Sequence, residues 1–195
     1  MDPQLAPEVL IDAYARGIFP MAGEDGEIMW FCPDPRTVIE LDRFRVSKTL
    51  GQTCRRQRFE LTVNRDFEAV IRACADRGQD TWISPDFIEA YGLLHRLGYA
   101  HSVEAWRGEV LAGGLYGLSI GGMFCGESMF HTQRDASKVA LVFLVERLRQ
   151  RDYALLDVQF TTEHLERFGA VDIPRAEYLE RLAETLEQPC RFGDA

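Results

Sequence analysis

Two apolar segments with the character of buried β-strands carry ionisable or amide side chains. The first reads Gly-Gly-Met-Phe-Cys-Gly-Glu-Ser-Met-Phe over residues 121–130, and the second reads Leu-Leu-Asp-Val-Gln-Phe over residues 155–160. An ionised carboxylate out of water is strongly unfavourable unless it is paired or hydrogen-bonded. Glu127 and Asp157 therefore mark a candidate reaction site.

The polar residues of the second segment are spaced to share one face of a strand. Asp157 and Gln159 are two residues apart, so both side chains project from the same side of a sheet. A carboxylate and an amide aimed together can accept a proton from an amine or orient it; the alternative is a satisfied buried polar network. With Glu127 they would form a small acidic patch suited to a cationic substrate. We name Glu127, Asp157 and Gln159 as candidate catalytic residues.

Other motifs exclude several alternative chemistries. Residues 117–121 read Gly-Leu-Ser-Ile-Gly, as in a hydrolase nucleophile elbow, but that motif needs a helix after the serine, and the residues that follow are strand-like. Ser119 is therefore predicted to lie in a turn. No glycine-rich phosphate loop or dinucleotide motif occurs. The histidines lack metal-ligand spacing: they are His95, His101, His131 and His164. We expect no metal and no other cofactor.

Composition indicates an ordinary globular chain. Its 195 residues are 46% apolar, enough to bury the core of one domain. No run of about twenty apolar residues and no signal peptide occurs, which predicts a soluble cytoplasmic protein without a membrane partner. The five cysteines are widely spaced and never form Cys-x-x-Cys, as expected of reduced thiols.

The charge is unevenly distributed. The net charge of −9 argues against indiscriminate binding to nucleic acid or anionic membrane. Residues 43–58 nevertheless hold six of the 22 basic residues and no acid. Such a window can contact a phosphate backbone, although a solvated helix face explains it equally and is the reading that the window alone favours.

Periodicity places these motifs on secondary structure. Glycines and prolines predict a loop or small lobe with little regular structure at residues 18–36. The predicted helices are 7–16, 47–57, 67–77, 85–97 and 138–150, then a short helix ending at Gly169 and a last one after Pro174 with Ala176, Leu179, Leu182 and Leu186 inward. The predicted strands are 59–63, 101–107, 109–115, 118–124 with a possible extension to 130, and 155–160.

This order of hairpins, helix, strand and helix matches the general N-acetyltransferase (GNAT) fold, in which a sheet splayed at its middle holds an acyl donor. We therefore predict an α+β, GNAT-like fold: a mixed sheet with flanking helices, preceded by a small, reduced N-terminal lobe. The predicted division is 1–35 for the lobe and 36–195 for the acyltransferase-like catalytic domain.

Motifs along nearly the whole chain resemble one known family, the leucyl/phenylalanyl-tRNA-protein transferases. They keep the family's order, and so many motifs in register make the match specific. They are Ala13-Tyr14-x-x-Gly17-Ile18-Phe19-Pro20, Pro33-Asp34-Pro35-Arg36, Thr81-Trp82-Ile83, Ala100-His101-Ser102-Val103-Glu104-x-Trp106, Gly113-Gly114-x-Tyr116-Gly117, Phe124-x-Gly126-Glu127-Ser128-Met129-Phe130, Ala136-Ser137-Lys138, Asp157-x-Gln159 and Ile173-Pro174-Arg175.

The resemblance implies an enzyme that moves leucine, phenylalanine or sometimes methionine from aminoacyl-tRNA to proteins with N-terminal arginine or lysine, which marks them for degradation. It implies that neither metal nor nucleotide is needed. Glu127 would help hold the reacting groups, while Asp157 and Gln159 would orient or deprotonate the attacking amine.

The same resemblance assigns the binding residues. An apolar pocket for the aminoacyl side chain would be lined in part by Leu115, Phe124 and Leu156, and Ser128 would belong to the substrate-binding set. Trp82 and Tyr91 would contact the terminal adenosine of the tRNA. The tRNA acceptor stem would meet Lys48, Arg55 and Arg56.

The chain departs from the family pattern in three places. Many members have a longer N-terminal region, so a reduced lobe is expected here. Asp-Val-Gln replaces the usual Asp-Cys-Gln, a change that should be tolerated because Val158 points away from the Asp157 face. Met21 and Phe31 stand where tryptophans are common, so pocket details and tRNA affinity are expected to differ more than the reaction.

Two rival functions remain open from the sequence. An acyl-CoA-dependent N-acyltransferase would share the fold, but residues 131–138 lack the glycine-rich turn that holds the CoA pyrophosphate. A noncatalytic protein that binds RNA or basic N-termini would show no turnover, and Asp157→Ala would leave its binding unimpaired.

Overall fold

A computed structural model describes residues 2–23, 25–76 and 81–193. Within these ranges the α-helices are α1 (Pro7–Ala15), α2 (Lys48–Arg55), α3 (Phe67–Ala75), α4 (Pro85–Arg96), α5 (Ala136–Gln150), α6 (Glu163–Glu166) and α7 (Arg175–Leu186). The strands are β1 (Phe19–Ala22), β2 (Ile28–Phe31), β3 (Arg36–Ile39), β4 (Glu60–Val63), β5 (Ala100–Arg107), β6 (Val110–Ile120), β7 (Met123–His131), β8 (Leu155–Gln159) and β9 (Ala170–Ile173). The last residue of the predicted helix 67–77 lies outside the described ranges.

A seven-stranded mixed sheet in the order β4-β5-β6-β7-β8-β3-β9 forms the centre of the fold. Its neighbours are antiparallel except for β7 and β8, which are parallel. The predicted α+β class, with a mixed sheet flanked by helices, is confirmed. The β7–β8 ladder ends at the pair Cys125↔Asp157. Beyond this pair the two strands separate, and the predicted splay lies there, beside Glu127 and Gln159.

Alternation along the strands separates two hydrophobic cores. Cys125 of β7 belongs to the core that contains side chains of α1, α3, α4 and α7, whereas its neighbour Phe124 belongs to the core that contains side chains of α2 and α5. Leu155 and Leu156 of β8 divide in the same way. Because successive residues of a strand point to opposite faces, the helices cover both faces of the sheet.

The N-terminal residues are packed into the first of these cores. Leu10, Tyr14 and Phe19 lie in the cluster that includes side chains of α3 and α4. The expectation of little regular structure at residues 18–36 was wrong, because β1 and β2 pair as an antiparallel hairpin and β3 begins at Arg36. The division into 1–35 and 36–195 stays a prediction.

The predicted break between two strands near Gly117 was also wrong. Strand β6 continues through Gly117, where a Cβ atom would lie 2.2 Å from the Cys125 carbonyl oxygen, so glycine is needed for strand approach and not for a turn. Ser119 is a buried strand residue whose hydroxyl lies 2.5 Å from that of Tyr153. The turn comes at Gly121, which has a φ of +54°.

The inward face of the last helix differs from the prediction. Tyr178 and Leu182 are buried, whereas Ala176 is exposed and Leu179 is 37% exposed. The prediction counted only aliphatic residues as inward-facing, and it therefore missed Tyr178, whose side chain ends in a polar hydroxyl.

Candidate active site

A cavity of about 460 Å³ lies at the splay between β7 and β8. Half of the predicted site residues line it: Trp82, Leu115, Glu127, Ser128, Leu156 and Gln159. Other lining residues were not singled out from the sequence: among them are Phe19, Tyr116, Met129, Leu141, Leu144 and Phe160. A mainly apolar chamber therefore carries a carboxylate and an amide on its wall.

Two tyrosines hold the Glu127 carboxylate. The Tyr14 hydroxyl donates to Oε1 over 2.8 Å, and the Tyr91 hydroxyl donates to Oε2 over 3.4 Å. The two hydroxyl oxygens are 2.5 Å apart, so the single proton of Tyr91 is shared between the Tyr14 oxygen and Glu127 Oε2. Burial, followed by the charge of Glu127, raises the pKa of both tyrosines well above the ordinary value. Both phenols therefore stay protonated and remain hydrogen-bond donors.

The surroundings of Glu127 suit proton transfer near neutral pH. Burial raises the pKa of Glu127 from 4.5 to about 7, and the hydrogen bond from Tyr14 opposes that rise. A side chain whose pKa lies close to the working pH exchanges protons most effectively. Glu127 is thus a cavity group able to take a proton and release it; His164 lines the same cavity.

Asp157 lies beneath the cavity, with both oxygens engaged. It is fully buried. Two nitrogens of Arg36 donate to it, Nε to Oδ1 over 2.8 Å and Nη2 to Oδ2 over 2.6 Å. The Tyr178 hydroxyl donates to Oδ2 over 2.9 Å, and the Gln159 backbone N–H donates to Oδ1 over 3.0 Å. A carboxylate held by so many donors is fixed in its orientation and in turn orients its neighbours. The role predicted for Asp157 toward the attacking amine stays a prediction.

Arg36 connects three parts of the chain at this point. Its guanidinium lies between the rings of Phe19 and Tyr178, 4.8 and 4.5 Å from their centroids, and Nη1 donates to the Gly17 carbonyl over 3.0 Å. Burial would lower the pKa of Arg36, but hydrogen bonding to Asp157 raises it overall. Arg36 was not among the predicted site residues, although a cation at the start of an apolar strand is as unusual as the carboxylates.

Gln159 sits at a strained point where β8 ends. Its φ is +60°, a left-handed conformation that costs on the order of 1–3 kcal/mol for a residue other than glycine. The Asp157 carboxylate holds this conformation through the backbone N–H of Gln159. The amide side chain lines the cavity. Such strain commonly occurs at functional sites, so the predicted pair acts together through the backbone.

Two predicted contact residues do not lie on the cavity wall. Tyr91 is fully buried under Glu127. Phe124 is fully buried in the core that contains side chains of α2 and α5, where its ring centroid is 4.8 Å from that of Phe192. Their roles toward the adenosine and the side-chain pocket stay predictions. Trp82 does line the cavity, and its ring packs edge-on against Phe87.

The predicted tRNA-binding residues lie on a separate surface. Lys48 and Arg55 are exposed on α2 and stand about two turns apart on one face, and Arg56 follows at the helix end. The other basic residues of the window, Arg43, Arg45 and Arg58, are exposed as well. Across residues 2–23, 25–76 and 81–193, none of the six forms an ion pair. Their charges are therefore available to an anionic partner.

Two kinds of feature are absent from residues 2–23, 25–76 and 81–193. There, no group of three or more His, Cys, Asp or Glu side chains is arranged to hold a metal ion. No helix in those residues has the length and apolar character needed to cross a bilayer. The expected lack of a cofactor stays a prediction.

Comparison with known proteins gives consistent results. The family model described as leucyl/phenylalanyl-tRNA protein transferase matches residues 38–183, and its N-terminal-domain model matches residues 3–34. The solved structure of L-PGS from Bacillus licheniformis aligns over 88% of this chain and 67% of that one, with 9% identity and a TM-score of 0.47.

Curated relatives match over almost the full chain. The leucyl/phenylalanyl-tRNA–protein transferase of Anaeromyxobacter sp. (strain Fw109-5) is 58% identical, over 97% of this chain and 82% of the relative. Those of Rubrobacter xylanophilus and Herpetosiphon aurantiacus are 57% and 53% identical, over 97% and 98% of this chain and 100% of each relative. The chain belongs to the leucyl/phenylalanyl-tRNA protein transferase family.

Proposed function

We propose that this chain transfers an aminoacyl group from tRNA to the α-amino group of an acceptor protein. The aminoacyl group is leucine or phenylalanine, and sometimes methionine; the acceptor begins with arginine or lysine and is thereby marked for degradation. Family membership supports the reaction class. The observation that carries the proposal is the apolar cavity with Glu127 and Gln159 on its wall.

The reaction needs little chemical activation. The acceptor nitrogen attacks the ester carbonyl, a C–N bond forms and the bond to the ribose oxygen breaks. The nitrogen loses a proton and the departing ribose oxygen gains one, so no co-reactant is consumed. An α-amino group with a pKa near 8 is roughly one-tenth neutral at pH 7. Positioning by the enzyme can therefore supply much of the acceleration.

The cavity wall suits the proposed aminoacyl donor. Leu115 and Leu156 line it together with Met129, Leu141 and Leu144. Burial of a leucine or phenylalanine side chain against these aliphatic residues is favourable by roughly 25 cal/mol per Å² of apolar surface removed from water. Flexible methionine and leucine side chains adapt to either shape, which supports acceptance of more than one amino acid.

The polar wall suits the proposed acceptor. With a pKa of about 7 raised by burial, ionised Glu127 takes the proton that the neutral amine loses as it attacks the ester. Gln159 offers an amide to the same amine. Asp157 acts from below by holding Arg36 and the Gln159 backbone. The exposed Lys48, Arg55 and Arg56 would meet the phosphates of the acceptor stem, because phosphate contacts dominate nucleic-acid affinity.

Transfer of radiolabelled leucine from charged tRNA to a peptide beginning with arginine tests this function. A peptide beginning with alanine and a reaction supplied with acetyl-CoA serve as controls. We expect label only in the arginine peptide, and transfer about 10²–10³-fold slower with Glu127→Gln at equal enzyme concentration. Acetylation would indicate the acyl-CoA enzyme. Binding of tRNA without transfer would indicate the noncatalytic protein.

A further inference from the structure

Cys125 lies inside the active-site hydrogen-bond network, although none of the roles above uses it. Its side chain is fully buried, and its Sγ is 3.3 Å from Asp157 Oδ2 and 2.8 Å from Gln159 Nε2. Its position is fixed by the backbone, because Cys125 and Asp157 form the last pair of the β7–β8 ladder. The sulfur therefore joins the buried carboxylate to the cavity amide.

The direction of each hydrogen bond follows from what each group can donate. An ionised carboxylate only accepts, and a thiol has one proton to donate. The Cys125 proton therefore points to a carboxylate, and the sulfur lone pairs remain to accept. A group that hydrogen-bonds to the sulfur lone pairs must donate a proton. The Gln159 carboxamide therefore turns its N–H group toward the sulfur and its oxygen away from it.

We propose that Cys125 is a positioning residue that fixes the Gln159 carboxamide with its oxygen toward the attacking amine. This inference rests on the proposed function. An amine presents N–H groups, which need an acceptor; a carboxamide rotated by 180° would present its own N–H groups and oppose the approach. The series of hydrogen bonds from Gln159 through Cys125 ends at Asp157, and Arg36 holds the Asp157 carboxylate in place as the acceptor.

The thiol acts here without reacting. Burial, and then the charges of Asp157 and Glu127, raises the pKa of Cys125 well above the ordinary value. The group therefore stays protonated and keeps the single donor on which the order of hydrogen bonds depends. Cys125 does not line the cavity wall, so it acts on substrate only through Gln159.

Steady-state transfer by three single variants provides the first test. Cys125→Ala removes the contact, and we expect kcat to fall about tenfold, in line with the loss of one hydrogen bond, with an unchanged KM for aminoacyl-tRNA. Cys125→Ser keeps a donor and an acceptor and should recover most of kcat. Cys74→Ala, a fully buried cysteine of α3, controls for lost core volume and should keep the wild-type kcat.

A double-mutant cycle separates positioning from packing. In a Gln159→Met background, Cys125→Ala should change kcat by less than about twofold, because the group on which it acts is gone. An equal loss in both backgrounds would overturn the proposal. So would a serine variant as slow as the alanine variant with an unchanged melting temperature.

An NMR measurement tests the contact independently of transfer. The side-chain amide resonances of Gln159, assigned by their loss in Gln159→Met, should differ from those of a free glutamine in wild type and in Cys125→Ser. In Cys125→Ala they should move toward the free values. Unchanged resonances in Cys125→Ala would overturn the contact. Absent transfer by the wild type would count against the proposed function, and the NMR result would still decide the contact.

Discussion

Glu127 and Asp157 flank the same strand splay, yet their surroundings differ in every respect that matters for chemistry. Glu127 lies on the cavity wall and is held by neutral tyrosine hydroxyls. Asp157 is fully buried below the cavity and forms an ion pair with Arg36. Neutral donors leave a carboxylate free to change its protonation state, whereas a bidentate cation fixes it. We therefore propose that Glu127 handles protons and that Asp157 maintains geometry.

Removal of Arg36 should break this contrast most severely. Arg36→Met would leave Asp157 buried without its cation, and we expect a loss of about 3–5 kcal/mol in the free energy of unfolding, measured by urea denaturation. Arg181→Met is the matched control, since Arg181 is 38% exposed in its pair with Glu40 and should cost at most about 1 kcal/mol. Equal losses in the two variants would show that the buried pair has no special role.

Glu127→Gln should separate the two carboxylates by activity. The amide keeps an acceptor for Tyr14 but cannot take a proton, so kcat/KM for the acceptor peptide should fall by about 10²–10³-fold, measured by label transfer at pH 8. The melting temperature should not fall. A variant with at least a third of wild-type kcat/KM would contradict the assignment of proton transfer to Glu127.

Stability should also depend on the ionisation of Glu127. Because the pKa of Glu127 rises from 4.5 to about 7 on folding, the folded state binds the proton more tightly. Wild type should therefore lose stability relative to Glu127→Gln as pH rises from 4.5 to 7, by up to about 3 kcal/mol, and stay level above that window. The free energy of unfolding of both proteins is measured by urea denaturation at each pH. If its dependence on pH is the same for the two proteins across this range, the predicted rise in the pKa of Glu127 is contradicted.

The smallest effect is expected on a surface that neither carboxylate touches. Replacement of both Arg55 and Arg56 by alanine should reduce the slope of log affinity for tRNA against log salt by about two, while kcat at saturating tRNA stays unchanged. Filter binding over a range of salt concentrations measures the slope. An unchanged slope would remove these residues from the tRNA interface.

The sequence was most informative where function conflicts with ordinary folding rules. Carboxylates in apolar strands pointed to Glu127 and Asp157, and strand periodicity placed Gln159 on the same face as Asp157. The roles of the two carboxylates could not be read in this way, because they depend on partners distant in the chain: Arg36 and Tyr14.

The strand errors have equally local causes. The missed strands β1, β2, β3 and β9 have four residues each, which leaves little alternation to read, although β4 of the same length was predicted. Proline and glycine in the first hairpin also resemble loop signals. Gly117 looked like a turn because only the neighbouring strand β7 reveals why a side chain cannot fit there. Each of these features is set by tertiary contacts.

The pH dependence of kcat/KM for the acceptor peptide tests most directly whether Glu127 takes the proton. On the acid side two groups must ionise: Glu127 at a pKa of about 7 and the free amine at about 8. The logarithm of kcat/KM should therefore rise with a limiting slope of about two below pH 6.5 in wild type and about one in Glu127→Gln, where only the amine titrates. A slope of one in wild type, or of two in the variant, would contradict the assignment.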